Sequence, residues 1–170
     1  KNKNHEVVIR AIAKINNPTI HYVICGQGSL ERHLEELSRK LGVADQVHIL
    51  GLRKDIAEIC KISNVFAFPS KREGLPVSLM EAMASGLPVV CTKIRGNSDL
   101  IKEKKGGYLV LASNVNSFAK YIEKLISSPI VSNDMAMYNI KAVGSFSVDK
   151  VLGKIDELYS GIQVNGKGNE

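Results

Sequence analysis

The stretch "TIHYVICGQGSLERHLEELSRKLG", Thr19 to Gly42, decides the fold. A β-branched and aromatic run, the composition of a strand, closes at Gly26. Leu30, Leu34, Leu37 and Leu41 then recur at i, i+4, i+7 and i+11, with Ser29 placed to cap and Gly42 to stop, which predicts an amphipathic helix over 29–41. A short strand passing through a glycine turn into such a helix is the unit from which parallel sheets are wound.

The same grammar repeats along the chain. "VHIL", "VFAF" and "PVVC" are short apolar runs closed by Gly, Pro or polar residues, and Tyr108 to Leu111 is a further strand. Helical patterns fall at about 55–62, 77–85, 97–104, 115–127, 133–143 and 147–160. Alternation of this kind predicts an α/β fold, a Rossmann-like doubly wound parallel sheet with helices on both faces. Residues 1–162 form one domain in this reading, and 163–170 a polar, Gly-rich, flexible tail. Val8, Ala11, Ile12 and Ile15 make the chain open with a helix, where a doubly wound fold normally opens with a strand. The first strand is therefore expected to be missing, supplied either by residues upstream of Lys1 or by a neighbouring chain, and the start without a methionine reads as an excised fragment.

The chain has 170 residues, 44% of them hydrophobic, enough for one sizeable core. Its three cysteines have neither the number nor the spacing of a disulfide framework or zinc site, which favours a reducing, cytoplasmic setting. The longest apolar runs are strand-sized, and "KNKNHEVVIR" lacks the apolar core of a signal peptide. A net charge of +6 suits an anionic partner. With aromatics at 5% and no tryptophan, stacking platforms are few, and nucleic acid is not the expected partner.

The basic residues gather after strands: Arg53 and Lys54, Lys71 and Arg72, Lys93 and Arg95, all on the edge where open α/β sheets bind ligands. Exposed loops are often basic, and any single pair is equally well read that way. "CGQGSL" adds Gly26 and Gly28, where backbone can approach a phosphate, although the turn lacks the third glycine of a dinucleotide fingerprint, and a purely structural turn fits equally well. In "EGLPVSLMEAMASGLPVV", the first Gly-Leu-Pro places Pro76 in the first turn of a helix and the second places Gly86 at its end. Val77, Leu79, Met80, Met83 and Ala84 would cover the buried side, with Ser78, Glu81 and Ser85 opposite. Glu73 and Glu81 taken singly fit plain compensation of the helix dipole.

As a whole, "FPSKREGLPVSLMEAMASGLPVV" resembles the Glu-x7-Glu signature of the group 1 glycosyltransferases, family four in the usual classification, with Glu73 and Glu81 as its acids. The resemblance extends through "KNH" at 3–5, "VICGQGSLERHLEELSRKLG", "VHILGLRKDI", "SNVFAFPS", "IRGNSDLI" and "FSVDKVLGKIDELY". It implies the C-terminal, donor-binding half of a two-domain GT-B enzyme, whose acceptor-binding half would lie upstream. It further implies a retaining, metal-independent hexosyltransferase without a cofactor, moving sugar from a nucleoside diphosphate sugar to a glycan or lipid-linked acceptor, commonly at the inner face of a bacterial membrane.

By the resemblance Glu73 is the catalytic-site carboxylate that holds hydroxyls of the transferred sugar, and Glu81 accepts from the ribose. Gly74, Leu75, Pro76 and Val77 line the diphosphate, the Gly51–Lys54 loop borders the base, and Lys3 neutralises the leaving diphosphate together with an arginine outside this chain. The fragment alone is expected to bind without catalysing. The alternatives are a nucleotide-sugar 2-epimerase, which shares the architecture, and a non-catalytic anion-binding module docking through Arg53, Lys54, Lys71 and Arg72. The four histidines are scattered and carry no catalytic expectation.

Overall fold

A computed structural model describes residues 2–147, 149–150, 152–153, 155–157 and 159. The chain runs α1 (His5–Ile15), β1 (Tyr22–Cys25), α2 (Glu31–Lys40), β2 (Val47–Gly51), α3 (Ile56–Ile62), β3 (Phe66–Phe68), α4 (Val77–Ala84), β4 (Val89–Thr92), α5 (Arg95–Leu100), β5 (Gly107–Val110), α6 (Val115–Ser127) and α7 (Pro129–Val143). Every strand pairing is parallel: β1 with β2, β3 with β4, and β4 with β5.

Alternation along β3, β4 and β5 feeds two cores, one on either face. On β4, Val90 joins the core built with α1, α2 and α6, whereas Val89 and Cys91 pack with Leu79 and Met83 of α4. Helices therefore cover both faces, as expected of a Rossmann-like α/β fold. Asn139 of α7, fully buried, donates to the carbonyls of Leu87 and Gly106 at 2.7 and 2.8 Å and ties that helix to the turns entering β4 and β5.

The strands fall into two sheets, β1–β2 and β3–β4–β5. Among the described residues, β1 and β3 each keep one edge without a partner strand. On the face of β1–β2 away from α1, Val23 and Leu50 stay 39% and 43% exposed.

Several boundaries differ from the sequence expectation for local reasons. Ser29 does not cap α2, which begins at Glu31; the Glu31 carboxylate instead reaches back to accept the Gly28 N–H at 2.9 Å. Pro76 stands at the N-cap of α4 rather than inside its first turn. Consequently Val77 and Ala84 face solvent, and Ala82 takes the buried place beside Leu79 and Met83. α5 ends at Leu100 and not near 104, because the chain reverses through Lys104 at φ 62°. α7 starts at Pro129, whose fixed φ suits the first helical position, and not at 133. The described residues between 149 and 159 are helical, in keeping with a helix there, and the tail at 163–170 lies outside the described residues.

Candidate functional site

The loop from Pro69 to Pro76, leaving the carboxyl end of β3, builds the site. Lys3 and Glu73, 70 positions apart in sequence, meet at 2.7 Å between Nζ and Oε1. The Glu73 side chain is 14% exposed while that of Lys3 is 56% exposed, so the lysine lies over the carboxylate from the solvent side. The ammonium also stands 5.4 Å from the centre of the Phe68 ring. Immediately downstream, α4 begins. Leu79 and Met80 donate to the Pro76 carbonyl, while among the described residues the amides of Gly74, Leu75, Val77 and Ser78 find no protein acceptor. Free N–H groups at a helix start favour an anion. Gly74 is exposed, Leu75 and Val77 are 62% and 59% exposed, Pro76 is buried, and Glu81 stands exposed on α4.

The residues after β1 and β2 form a second, looser group. Gly26 adopts φ 129°, a conformation reserved for glycine, and its N–H donates to the Gly51 carbonyl at 2.7 Å, joining the two loops. Gly28 lies beside open space. Arg53 is not the free cation that the sequence suggests: Asp55 accepts from its Nε at 2.8 Å and from its Nη2. That hydrogen bond raises the guanidinium pKa and lowers that of the Asp55 carboxyl. Lys54, Lys71, Arg72 and Lys93 are exposed, and Arg95 stands only 4.0 Å from Asp99 at the surface.

Other contacts escaped the sequence reading. The Asn2 carbonyl accepts from the Lys71 amide at 2.9 Å, and the Asn2 side chain donates to the Arg72 carbonyl at 2.9 Å. Asn4 donates to the carbonyls of Pro69 and Ala112, at 3.2 and 2.8 Å. Buried Thr92 donates to the Ser70 carbonyl, and Asn97 donates to the Thr92 carbonyl and hydroxyl. No periodicity signals such contacts, because each joins distant loops.

The histidines do not gather at this site. His21 and His48 stack on neighbouring strands, His33 pairs with Glu6, and His5 shares a 2.8 Å hydrogen bond with Tyr22. Among the described residues no three His, Cys, Asp or Glu side chains converge as a metal site, and no helix is long and apolar enough to cross a membrane. Two surface cavities, of about 320 and 370 Å³, border α7 and are not lined by Glu73 or Glu81.

The chain is 31% identical over 149 residues to the Escherichia coli UDP-Gal:alpha-D-GlcNAc-diphosphoundecaprenol alpha-1,3-galactosyltransferase, covering 87% of this chain and 38% of that protein. Among solved structures it is similar to Anabaena Alr3699/HepE in complex with UDP (TM-score 0.88, 23% identity, 94% of this chain and 46% of that one). It is likewise similar to S. aureus TarM in a complex that contains UDP (TM-score 0.86, 23% identity, 94% and 33%). The chain thus spans less than half of each of these proteins. The family described as "Glycosyl transferases group 1" matches residues 1–142, the whole span from the Lys3 loop through α7, and the chain belongs to that family.

Proposed function

We propose that this chain is the donor-binding domain of a retaining glycosyltransferase, taking a hexose-type sugar from a nucleoside diphosphate sugar. One observation carries the reading: Lys3, Glu73 and the unengaged amides at the start of α4 meet at one point on the carboxyl edge. An ammonium and free N–H groups suit a diphosphate, and a carboxylate, which only accepts hydrogen bonds, suits sugar hydroxyls.

Lys3 is ion-paired with Glu73. A bound donor would exchange these partners: Lys3 turns to the diphosphate, and Glu73, released, accepts from hydroxyls of the hexose. Glu81, further along α4, takes the ribose hydroxyls, while the Gly26–Gly28 and Gly51–Lys54 loops border the nucleotide. During transfer the bond from the anomeric carbon to phosphate oxygen breaks as the acceptor oxygen bonds to the same face. The acceptor's proton passes to the departing phosphate oxygen. Lys3 and the α4 amides stabilise the charge that develops there without calling on a metal. The names of the relatives support a UDP-type donor and a lipid-linked acceptor, since the Escherichia coli relative is named for UDP-Gal and a diphosphoundecaprenol glycan. A cytoplasmic site at the inner face of the membrane follows from such an acceptor.

The domain reading belongs here too. A strand from upstream of Lys1, parallel to its neighbours, would fill the space between β1 and β3 and join both sheets in the order β2, β1, upstream strand, β3, β4, β5. Its support is local: Asn2 and Asn4 hydrogen-bond to the loop at the carboxyl end of β3, which is where a strand in that space would deliver the chain. An acceptor domain upstream would then provide the second wall of the cleft.

Calorimetric titration with UDP, GDP, ADP and inorganic pyrophosphate tests the donor site, alongside Glu81→Ala. Selective binding of one nucleoside diphosphate, weakened by about 1–3 kcal/mol in Glu81→Ala, is the expected result. Equal binding of every anion, lost with salt and indifferent to Glu81, overturns it in favour of a merely charged surface.

A further inference from the structure

Resting on the donor-site reading, we propose that Gly96 is the positioning residue that sets where Glu73 stands in the cleft. The backbone of the Glu73 loop is gripped along its length. On one side Asn2 and Asn4 bond to Pro69, Lys71 and Arg72. On the other, the fully buried Asn97 side chain donates to the carbonyl and hydroxyl of Thr92, at 2.9 and 3.0 Å, and the Thr92 hydroxyl donates to the Ser70 carbonyl. This chain of bonds ties the ends of β3 and β4 to α5 and brings the neighbouring Gly96 against the turn that carries Glu73.

A Cβ on Gly96 would lie 2.2 Å from the Gly74 carbonyl oxygen and 3.0 Å from that of Glu73. Both are backbone atoms, which cannot rotate aside as a flexible side chain would. Gly96 is moreover absent from the residues with positive φ, so space and not backbone conformation requires glycine here. Any added carbon must push the Glu73–Gly74 turn away from α5. Glu81 sits on the body of α4, beyond Pro76, and does not share that displacement.

Sugar recognition and nucleotide recognition should therefore separate. In the full-length protein, Gly96→Ala is expected to weaken the glucose conjugate of the preferred base, chosen from UDP-, GDP- and ADP-glucose, at least tenfold. The bare nucleoside diphosphate should weaken several-fold less, because only the Gly74 and Leu75 amides share the displacement while Glu81 and the Val77 and Ser78 amides on α4 stay in place, with the thermal midpoint recorded in parallel. Thr92→Val, which removes the hydroxyl bonded to Ser70 without adding bulk near Glu73, should show the same split to a smaller degree. It carries the test if Gly96→Ala fails to fold. Equal losses for conjugate and bare nucleotide, or no loss for either, would overturn the proposal. A wild-type protein that binds neither set would overturn the donor-site reading itself, a failure distinguishable from that of Gly96 alone.

Discussion

The loops that follow β1 and β3 are held in opposite ways. After β3, the carbonyls of Pro69, Ser70 and Arg72 and the amide of Lys71 are all engaged by Asn2, Asn4 or Thr92, and Gly96 closes on Gly74. After β1, the chain is tied by the Gly26 bond to Gly51 and the reach of Glu31 to Gly28, and a Cβ at Gly26, Gly28 or Gly51 would meet nothing within 4 Å. Both leave the carboxyl end of a parallel strand. In the proposed enzyme the braced loop presents Glu73 to the reacting sugar, where small displacements are costly to rate. The loose loops border the nucleotide, where shape can be altered without disturbing chemistry.

Stability measurements can break this comparison. The largest effect is expected for Asn4→Ala, which strips two carbonyls of their donor and places alanine at φ 55°. A loss of about 2–3 kcal/mol in urea unfolding should result, whereas Gly28→Ala should stay within about 0.5 kcal/mol. Equal losses would mean that the two loops are braced alike.

Acid offers a finer probe. Burial first, then the positive charge of Lys3, lowers the His5 pKa from 6.5 to about 4. Between those values the unfolded chain binds a proton that the folded chain does not. The contribution of His5 is therefore fully present above pH 6.5 and lost as pH falls to about 4. His5 begins α1, directly behind the clamping Asn2 and Asn4, and its ring faces the Tyr22 hydroxyl. Hydrogen-exchange protection of the Lys71 amide should fall more steeply between pH 7 and 4 than that of Gly26, and His5→Gln should remove the difference. Parallel loss in both loops would place the acid response elsewhere.

What could be read from the sequence follows the same division. Helices α2 and α6 and the alternation of strands and helices were legible because period and punctuation are local, whereas Glu73 was singled out only by the resemblance of the whole "EGLPVSLMEAMASGLPVV" string. The bracing was not. Lys3 and Asn2 meet the Glu73 loop only because α1 folds back across the sheet, and nothing within "IRGNSDL" separates Gly96 from an ordinary turn glycine. Arg53 shows a subtler limit. Charge counting along a loop registers a cation, but Asp55, two residues on, already occupies it. The start of α2 differs for a similar reason, since Leu30 stands at the N-cap without a side-chain hydrogen bond and the Glu31 carboxylate ties back to the Gly28 amide outside the helix.

The unpartnered edges of β1 and β3 carry one more consequence, for handling the molecule. A strand edge is a template that accepts any extended chain, its own kind included. Among the described residues β1, β2, β3 and β5 each offer one such edge, and association of the chain on its own should rise with concentration in sedimentation runs.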